Sequence, residues 1–361
     1  MGEQMYRHIA LSLLLASTTA ALAQTTVSYV YVGRNTSPQK IAAFAIKSDN
    51  SVHTVSGSPF TAPSRALAAS TNYLYATNHK NIAAYKRNSS GTLTFLSSFN
   101  GVRNFDSEVG SLTLDRTAAS LYASEDNGVG DNDYDIYDKL SSGKLSYVSS
   151  TRISAEYGGP LQFNTANKYA YTIACIMAEF SIPAFTRESD GLLTPLNATF
   201  DLPPHPGTED LCPTGIATSA LGYAAISYFA ISPSGFQSIA VYRIAGDGSL
   251  RFVSQTSTNS TNANQSRFSL QFNRTGTYLA AAGQKGIQLY KLSSTGFLSK
   301  VGSPLYTRTT FHALKWDKTN HVYTISGSAL YFFTVKSGKL VQAASPRSVP
   351  SAASLVVVSL Q

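Results

Sequence analysis

Charge, cysteine and long apolar runs are all scarce in this chain, and each scarcity removes a class of protein. Only 13% of its 361 residues are charged, and the Lys and Arg residues are scattered singly, with Lys86-Arg87 the densest pair. The formal net charge of +8 therefore sits in no polybasic run or stripe. Nucleic acid is bound by clustered cations that displace condensed counterions, so it is not an expected partner. After residue 24 no run approaches the roughly 20 apolar residues that a membrane span needs, and no membrane partner is expected. Nucleophile-elbow, His-Glu-x-x-His and phosphate-loop signatures are all missing. The six histidines form no ligand-like pair. Neither a cofactor nor a metal is expected.

The N-terminus reads as a secretory signal over 1–23, with Arg7 and His8 ahead of an apolar run from Ile9 to Ala16 and small residues at Ala21 and Ala23. The mature chain, 24–361, is then a single secreted or periplasmic domain, expected to be a monomer. Tyr, Phe, Thr and Ser are abundant, and no long segment carries helical periodicity, which is a β composition.

The clearest local pattern spans Phe268 to Leu305. Four short runs of alternating apolar residues are separated by reversals at Asn273-Arg-Thr-Gly276, Gly283-Gln-Lys-Gly286 and Gly296-Phe-Leu298. That is one small antiparallel sheet, which cannot bury both faces alone. The same unit recurs along the chain. Its last turn appears as Asn50-Ser-Val52, Gly91-Thr-Leu93, Gly143-Lys-Leu145, Gly191-Leu-Leu193, Gly248-Ser-Leu250, Gly296-Phe-Leu298 and Gly338-Lys-Leu340. A short aromatic strand precedes each turn, at Tyr29-Val-Tyr31, Tyr73-Leu-Tyr75, Leu121-Tyr122, Tyr169-Ala-Tyr171, Tyr223-Ala-Ala225, Tyr278-Leu-Ala280 and Val322-Tyr323. Two markers in phase predict an all-β seven-bladed propeller of four-stranded antiparallel blades. The first unit lacks its first strand, and Ala352 to Leu360 has the alternation to supply it. The expected ring is therefore closed by the C-terminal strand pairing in the N-terminal blade.

These phrases, together with Ser56-Gly-Ser-Pro-Phe60 and Gly302-Ser-Pro304, resemble the seven-bladed lactonase propellers, which include 6-phosphogluconolactonase-type and muconate-cycloisomerase-like proteins; YVTN-type propellers share them. The resemblance covers residues 27 to 360. It implies Arg, Glu and His around the central opening, often with Pro-Arg-His opening a first strand. The nearest phrases here are Ser266-Arg267-Phe268 and Phe311-His312.

In a propeller the loops joining second to third strands, and those joining one blade to the next, open on one face. Assigning residues to those loops selects His205, Glu209, Glu156 and His312 as candidate acids and bases. Arg103, Arg152, Asp210, Arg267 and Arg347 are the candidate substrate contacts. Arg offers a bidentate fork for a carboxylate, and a carboxylate or imidazole can act as base. The densest segment, His205 to Cys212, is the first choice for a binding loop. Cys175 and Cys212 should lie on that face in neighbouring blades, and a disulfide between them would contribute about 3 kcal/mol in the chain-entropy model. The acidic run from Glu125 to Asp135 lacks the Gly and bidentate Glu of an EF-hand loop. Two readings follow. One is a lactonase-like hydrolase or isomerase acting on a small carboxylate or lactone. The other is a non-catalytic propeller binding a glycan, peptide or protein partner through the same face.

Overall fold

Each of the seven recurring turns reverses the chain through a left-handed residue: φ is 70° at Asn50 and lies between 74° and 90° at Gly91, Gly143, Gly191, Gly248, Gly296 and Gly338. Glycine enters that region without a Cβ penalty and asparagine at little cost, so the composition of the turn follows from its backbone. The computed structural model describes residues 24–101, 108–126, 132–153, 159–175, 180–196, 200, 202–203, 210–232, 237–258 and 268–360.

The strands form seven blades in a ring, each antiparallel and ordered from the axis outward. Blade 2 runs Ala66–Ala69, Tyr73–Thr77, Asn81–Arg87 and Leu93–Asn100. Blade 3 runs Glu108–Leu114, Ser120–Asp126, Asn132–Lys139 and Leu145–Ile153. In blade 4, Gln162–Phe163, Tyr169–Tyr171, Ala184–Arg187 and Leu193–Pro195 are joined by a small hairpin of Ala174–Cys175 with Phe180–Ser181. Blade 5 starts at Asp210–Thr218 and ends at Leu250–Ser257, blade 6 starts at Ser269–Phe272 and ends at Leu298–Leu305, and blade 7 starts at Ala313–Trp316 and ends at Lys339–Ser348.

Blade 1 takes its outer strands from the N-terminus, Thr26–Arg34, Lys40–Lys47 and Val52–Thr54, and its innermost strand from Ala352–Ser359. That last strand pairs antiparallel with the first, Val30 opposite Val357 and Val32 opposite Leu355. The ring is thus closed by strand pairing, which leaves no open edge between the termini.

Blades are held to one another by apolar interlocking and by one repeated hydrogen bond. Val30, Val32 and Phe44 of blade 1 pack against Tyr323, Ile325 and Phe332 of blade 7, each such side chain contributing about 1.5–3 kcal/mol when fully buried. The aromatic strand and the turn are in phase because they meet: the Tyr31 hydroxyl donates to the Gly91 carbonyl (2.7 Å), Tyr75 to Gly143 (3.0 Å), Tyr122 to Gly191 (2.7 Å) and Tyr171 to Gly248 (2.8 Å), always into the next blade. The tyrosine two residues earlier in the strand, Tyr29, Tyr73 or Tyr169, lies against Gly91, Gly143 or Gly248 of the same turn. A Cβ on Gly143 would lie 2.2 Å from the Tyr73 ring. Where blade 5 has Ala225 in place of the inner tyrosine, the bond to the Gly296 carbonyl comes from Ser254 (2.8 Å).

The seam between blades 7 and 1 uses different chemistry. His321 Nε2 meets Asn50 Oδ1 at 2.6 Å, while its Nδ1 lies 2.9 Å from the buried Asp317 carboxylate. Asp317 also accepts from Tyr323 (2.7 Å) and from Ser28 of blade 1 (3.2 Å). Asn273 likewise serves the fold: it is buried and its Oδ1 accepts the Tyr278 amide at 3.0 Å.

Two expectations follow from these contacts. Tyr75→Phe leaves the Gly143 carbonyl unsatisfied and should lower stability by about 1–3 kcal/mol. Gly143→Ala adds a clash to an unfavourable φ and should lower it by at least about 2 kcal/mol, both read from urea midpoints. At the seam, burial alone would raise the Asp317 carboxyl, but hydrogen bonds from His321 and Tyr323 outweigh it and hold it below the ordinary range. A depressed carboxyl stabilises the fold fully above its unfolded value near pH 4 and loses that contribution as pH falls through its folded value. Below about pH 4 the melting temperature of the wild type should therefore fall more steeply than that of Asp317→Asn.

Candidate functional site

Seven innermost strands surround a central cavity of about 1360 Å³. Strand direction gives it two distinct mouths. The upper one carries the entries to the inner strands and the turns between second and third strands. The lower one carries the turns that follow the inner strands.

At the upper mouth blades 2 and 3 bring three polar side chains together. Arg65 enters the inner strand of blade 2 and lines the cavity. His79 sits in the turn after Tyr73–Thr77, and Glu108 opens the inner strand of blade 3. The Arg65 guanidinium contacts both the Glu108 carboxylate and the His79 imidazole, and His79 Nδ1 lies 3.0 Å from Glu108 Oε1. Arg65 and Glu108 both meet Nδ1; when that nitrogen carries the proton it donates to the carboxylate, and Nε2 is then the basic nitrogen. The turn that carries His79 is tied down: Asn78 Oδ1 accepts the Asn81 amide (3.0 Å), the His79 carbonyl accepts from Val109 (2.6 Å), and the Lys80 carbonyl accepts from Gly101 (2.7 Å). His79 is held at φ 152°, a region that side-chain-bearing residues rarely occupy and that is found where surrounding structure over-determines the backbone.

The hydrogen bond from His79 is the largest influence on Glu108. Partial burial opposes it, and the hydrogen bond and charge of Arg65 add to it, so the carboxyl is held below the usual carboxylate range. Glu108 is thus an orienting anion, with its charge already committed, and a poor proton acceptor at neutral pH.

The residues singled out from sequence fare unevenly. His312 precedes the inner strand of blade 7, is exposed and lines the cavity. Asp210 opens the inner strand of blade 5. Arg152 is exposed on the outermost strand of blade 3, opposite Asp133. Arg347 is on the outermost strand of blade 7 and donates to the Val52 carbonyl of blade 1 (3.0 Å). Both arginines were expected beside the axis. They sit at the rim because the outer strands of blades 3 and 7 run on through Ile153 and Ser348 before the chain turns inward. Arg103, Glu156, His205, Glu209 and Arg267 lie outside the described residues. Cys175 and Cys212 are joined by a disulfide with Cα atoms 5.3 Å apart, and it ties the blade 4 hairpin to the inner strand of blade 5 at the cavity wall.

Sequence reasoning missed Arg65, although Pro63-Ser64-Arg65 stands directly before a first strand and could have been matched to the phrase sought at Ser266-Arg267-Phe268. It also missed Lys315, whose place on the channel face of an inner strand is visible only once blade 7 is aligned with its neighbours.

A family profile described as "Lactonase, 7-bladed beta-propeller" matches residues 21–312. The chain belongs to that family. Among solved structures, the periplasmic gluconolactonase PpgL of Pseudomonas aeruginosa superimposes with a TM-score of 0.71 at 15% identity, over 93% of this chain and 100% of that one. A candidate 6-phosphogluconolactonase from Bacteroides uniformis gives 0.74 at 14% identity, over 92% and 100%. A second from Bacteroides fragilis gives 0.69 at 17% identity, over 92% and 98%. At such identities the likeness is one of fold. Comparison with curated protein sequences returns no match. Lactonase propellers thus supply the frame in which the upper-mouth trio of Arg65, His79 and Glu108 sits.

Because His79 and Arg65 each hold the Glu108 carboxyl down by a hydrogen bond and by charge, His79→Ala and Arg65→Met should each raise the Glu108 pKa towards its ordinary value. Carboxyl-detected NMR titration of Glu-labelled protein reads both shifts.

Proposed function

We propose that this lactonase-family propeller is an exported hydrolase of small sugar-acid lactones, working at the upper mouth of the central cavity. The observation that carries this reading is the Glu108-oriented His79 beside Arg65 on the cavity wall. Arg65 supplies donors for the lactone carbonyl or an anionic substituent. His79 Nε2 takes a proton from water as the oxygen adds to the carbonyl carbon. Collapse breaks the bond to the ring oxygen, which receives that proton from the imidazolium, and the open hydroxy acid leaves. Glu108 stabilises the imidazolium without taking the proton. In this reading Arg103, Glu156, His205, Glu209 and Arg267, singled out from sequence alone, supply the remaining substrate contacts with Asp210 and His312. Export is supported by the signal-like segment and by the disulfide, which persists in oxidising compartments. No helix among the described residues is long and apolar enough to cross a membrane.

A second reading, a propeller that binds a glycan or protein through this face without chemistry, is favoured by one feature: Arg65 is already engaged by Glu108. The two separate on a panel of aldono- and muconolactones followed by pH-stat. Hydrolysis should be detectable for at least one lactone, and His79→Gln, melting as the wild type does, should lower kcat by about 100-fold or more, the contribution of a positioned base. No turnover above the blank for any lactone would hand the face to the binding reading.

A further inference from the structure

The inner strands of blades 3, 4, 6 and 7 share a register that becomes clear when their last residues are aligned. Leu112-Thr113-Leu114-Asp115, Leu161-Gln162-Phe163-Asn164, Leu270-Gln271-Phe272-Asn273 and Leu314-Lys315-Trp316-Asp317 each place an apolar residue, a polar one, an apolar one and the Asx that opens the turn. Strand side chains alternate between faces. The first position is buried in all four, whereas Thr113, Gln162, Gln271 and Lys315 are half-buried and line the cavity. At one level of the channel four of the seven inner strands therefore place a polar side chain, while blades 2 and 5 place Ala68 and Ala217 there. That level carries a hydroxyl, two amides and one ammonium, set three positions below His312, about 10 Å from the upper mouth.

Lys315 is the unusual member. It is half-buried on the cavity wall, and desolvation there pulls its pKa below the ordinary lysine value. A partly desolvated ammonium is costly without a counter-ion, and proteins normally pair it. Here the only carboxylate among the described lining residues is Asp317. Its Oδ1 is taken by the amides of Thr319 (2.8 Å) and His321 (2.9 Å), and its Oδ2 by Tyr323 and His321. Arg116, Arg274 and Lys318 add further positive charge at the lower mouth. Field lines in a low-dielectric channel of one sign concentrate anions within it. Gln271 is held in place on the cavity wall, its Oε1 accepting the Trp316 amide at 2.8 Å, while its NH2 group makes no hydrogen bond among the described residues.

We propose that this layer is an anion site inside the channel, separate from the upper mouth, and that it takes a small hydroxylated carboxylate with the carboxylate on Lys315 and hydroxyls on Gln162, Gln271 and Thr113. An ammonium meets a carboxylate as a point charge, while amides and a hydroxyl, each able to donate and accept, match the alcohols of a sugar acid. The site does not depend on lactone hydrolysis at His79.

Calorimetric titration with sodium gluconate tests it, with sodium chloride and sodium phosphate as arms at matched ionic strength. The wild type should bind gluconate. Lys315→Met should weaken binding at least about tenfold, since a charge-assisted contact of this kind is worth that much, while Lys315→Arg keeps most of it. Without ligand, Lys315→Met should melt at or above the wild-type temperature, because it removes a partly desolvated charge that has no carboxylate partner. His79→Gln should bind gluconate as the wild type does, whatever its lactone turnover, so failure of the hydrolase reading and failure of this one are distinguishable. The site is overturned if the wild type does not bind gluconate, if Lys315→Met binds it equally, or if His79→Gln abolishes it. An equal effect of chloride would show an adventitious ion only, and tighter binding of phosphate would replace the carboxylate class.

Discussion

The ring depends on a hydroxyl reaching across a blade boundary. A four-stranded blade satisfies its own backbone internally, so nothing in its hydrogen-bond ladder obliges it to sit beside another blade. Apolar packing supplies most of the attraction, but it has no direction. The tyrosine hydroxyl that meets the carbonyl of a left-handed glycine supplies the direction: it fixes how far one blade slides and rotates against the next. Burial keeps these phenols neutral donors, with Tyr122 pushed up to about 12 and Tyr31, Tyr75 and Tyr171 higher still. The glycine is then doubly constrained, by its own φ and by the ring that lies on it.

At the closing boundary the device is of another kind. Between blades 7 and 1 a histidine–asparagine contact and a buried aspartate stand where tyrosine and glycine serve elsewhere. Here residues from the two ends of the chain meet in one polar network, with Ser28 and Asp317 in contact. The closing seam therefore carries ionisable groups that the other described Tyr–Gly contacts lack.

The architecture was legible because the two markers report one contact. Tyr-x-Tyr and Gly-x-Leu fall in phase not by descent alone but because each pair touches, and that coupling survives where individual letters change, as with Ser254 beside Ala225. The site was less legible. Arg152 and Arg347 precede crossovers in sequence, yet the outer strands extend past them, and a boundary error of a few residues moves a side chain from axis to rim. Lys315 stands between Leu314 and Trp316 in a pattern that any half-buried strand could show. Whether the face beneath it is solvent, core or channel is a property of seven strands together and of no single one. Arg65, His79 and Glu108 come from two blades, and only the close approach of the blade 2 turn to the next inner strand unites them.

Completion of blade 1 by Ala352–Ser359 also orders events in time. During synthesis the first three strands of that blade emerge early, while the strand that fills its innermost position is translated last. Until then the exposed inner edge of Thr26–Arg34 offers unpaired backbone groups to any passing strand. Every other blade can assemble from a contiguous stretch as it appears. Blade 1 must wait for the whole chain, so formation of the channel is a single late event, and a nascent chain carries an open edge for nearly the full duration of its translation.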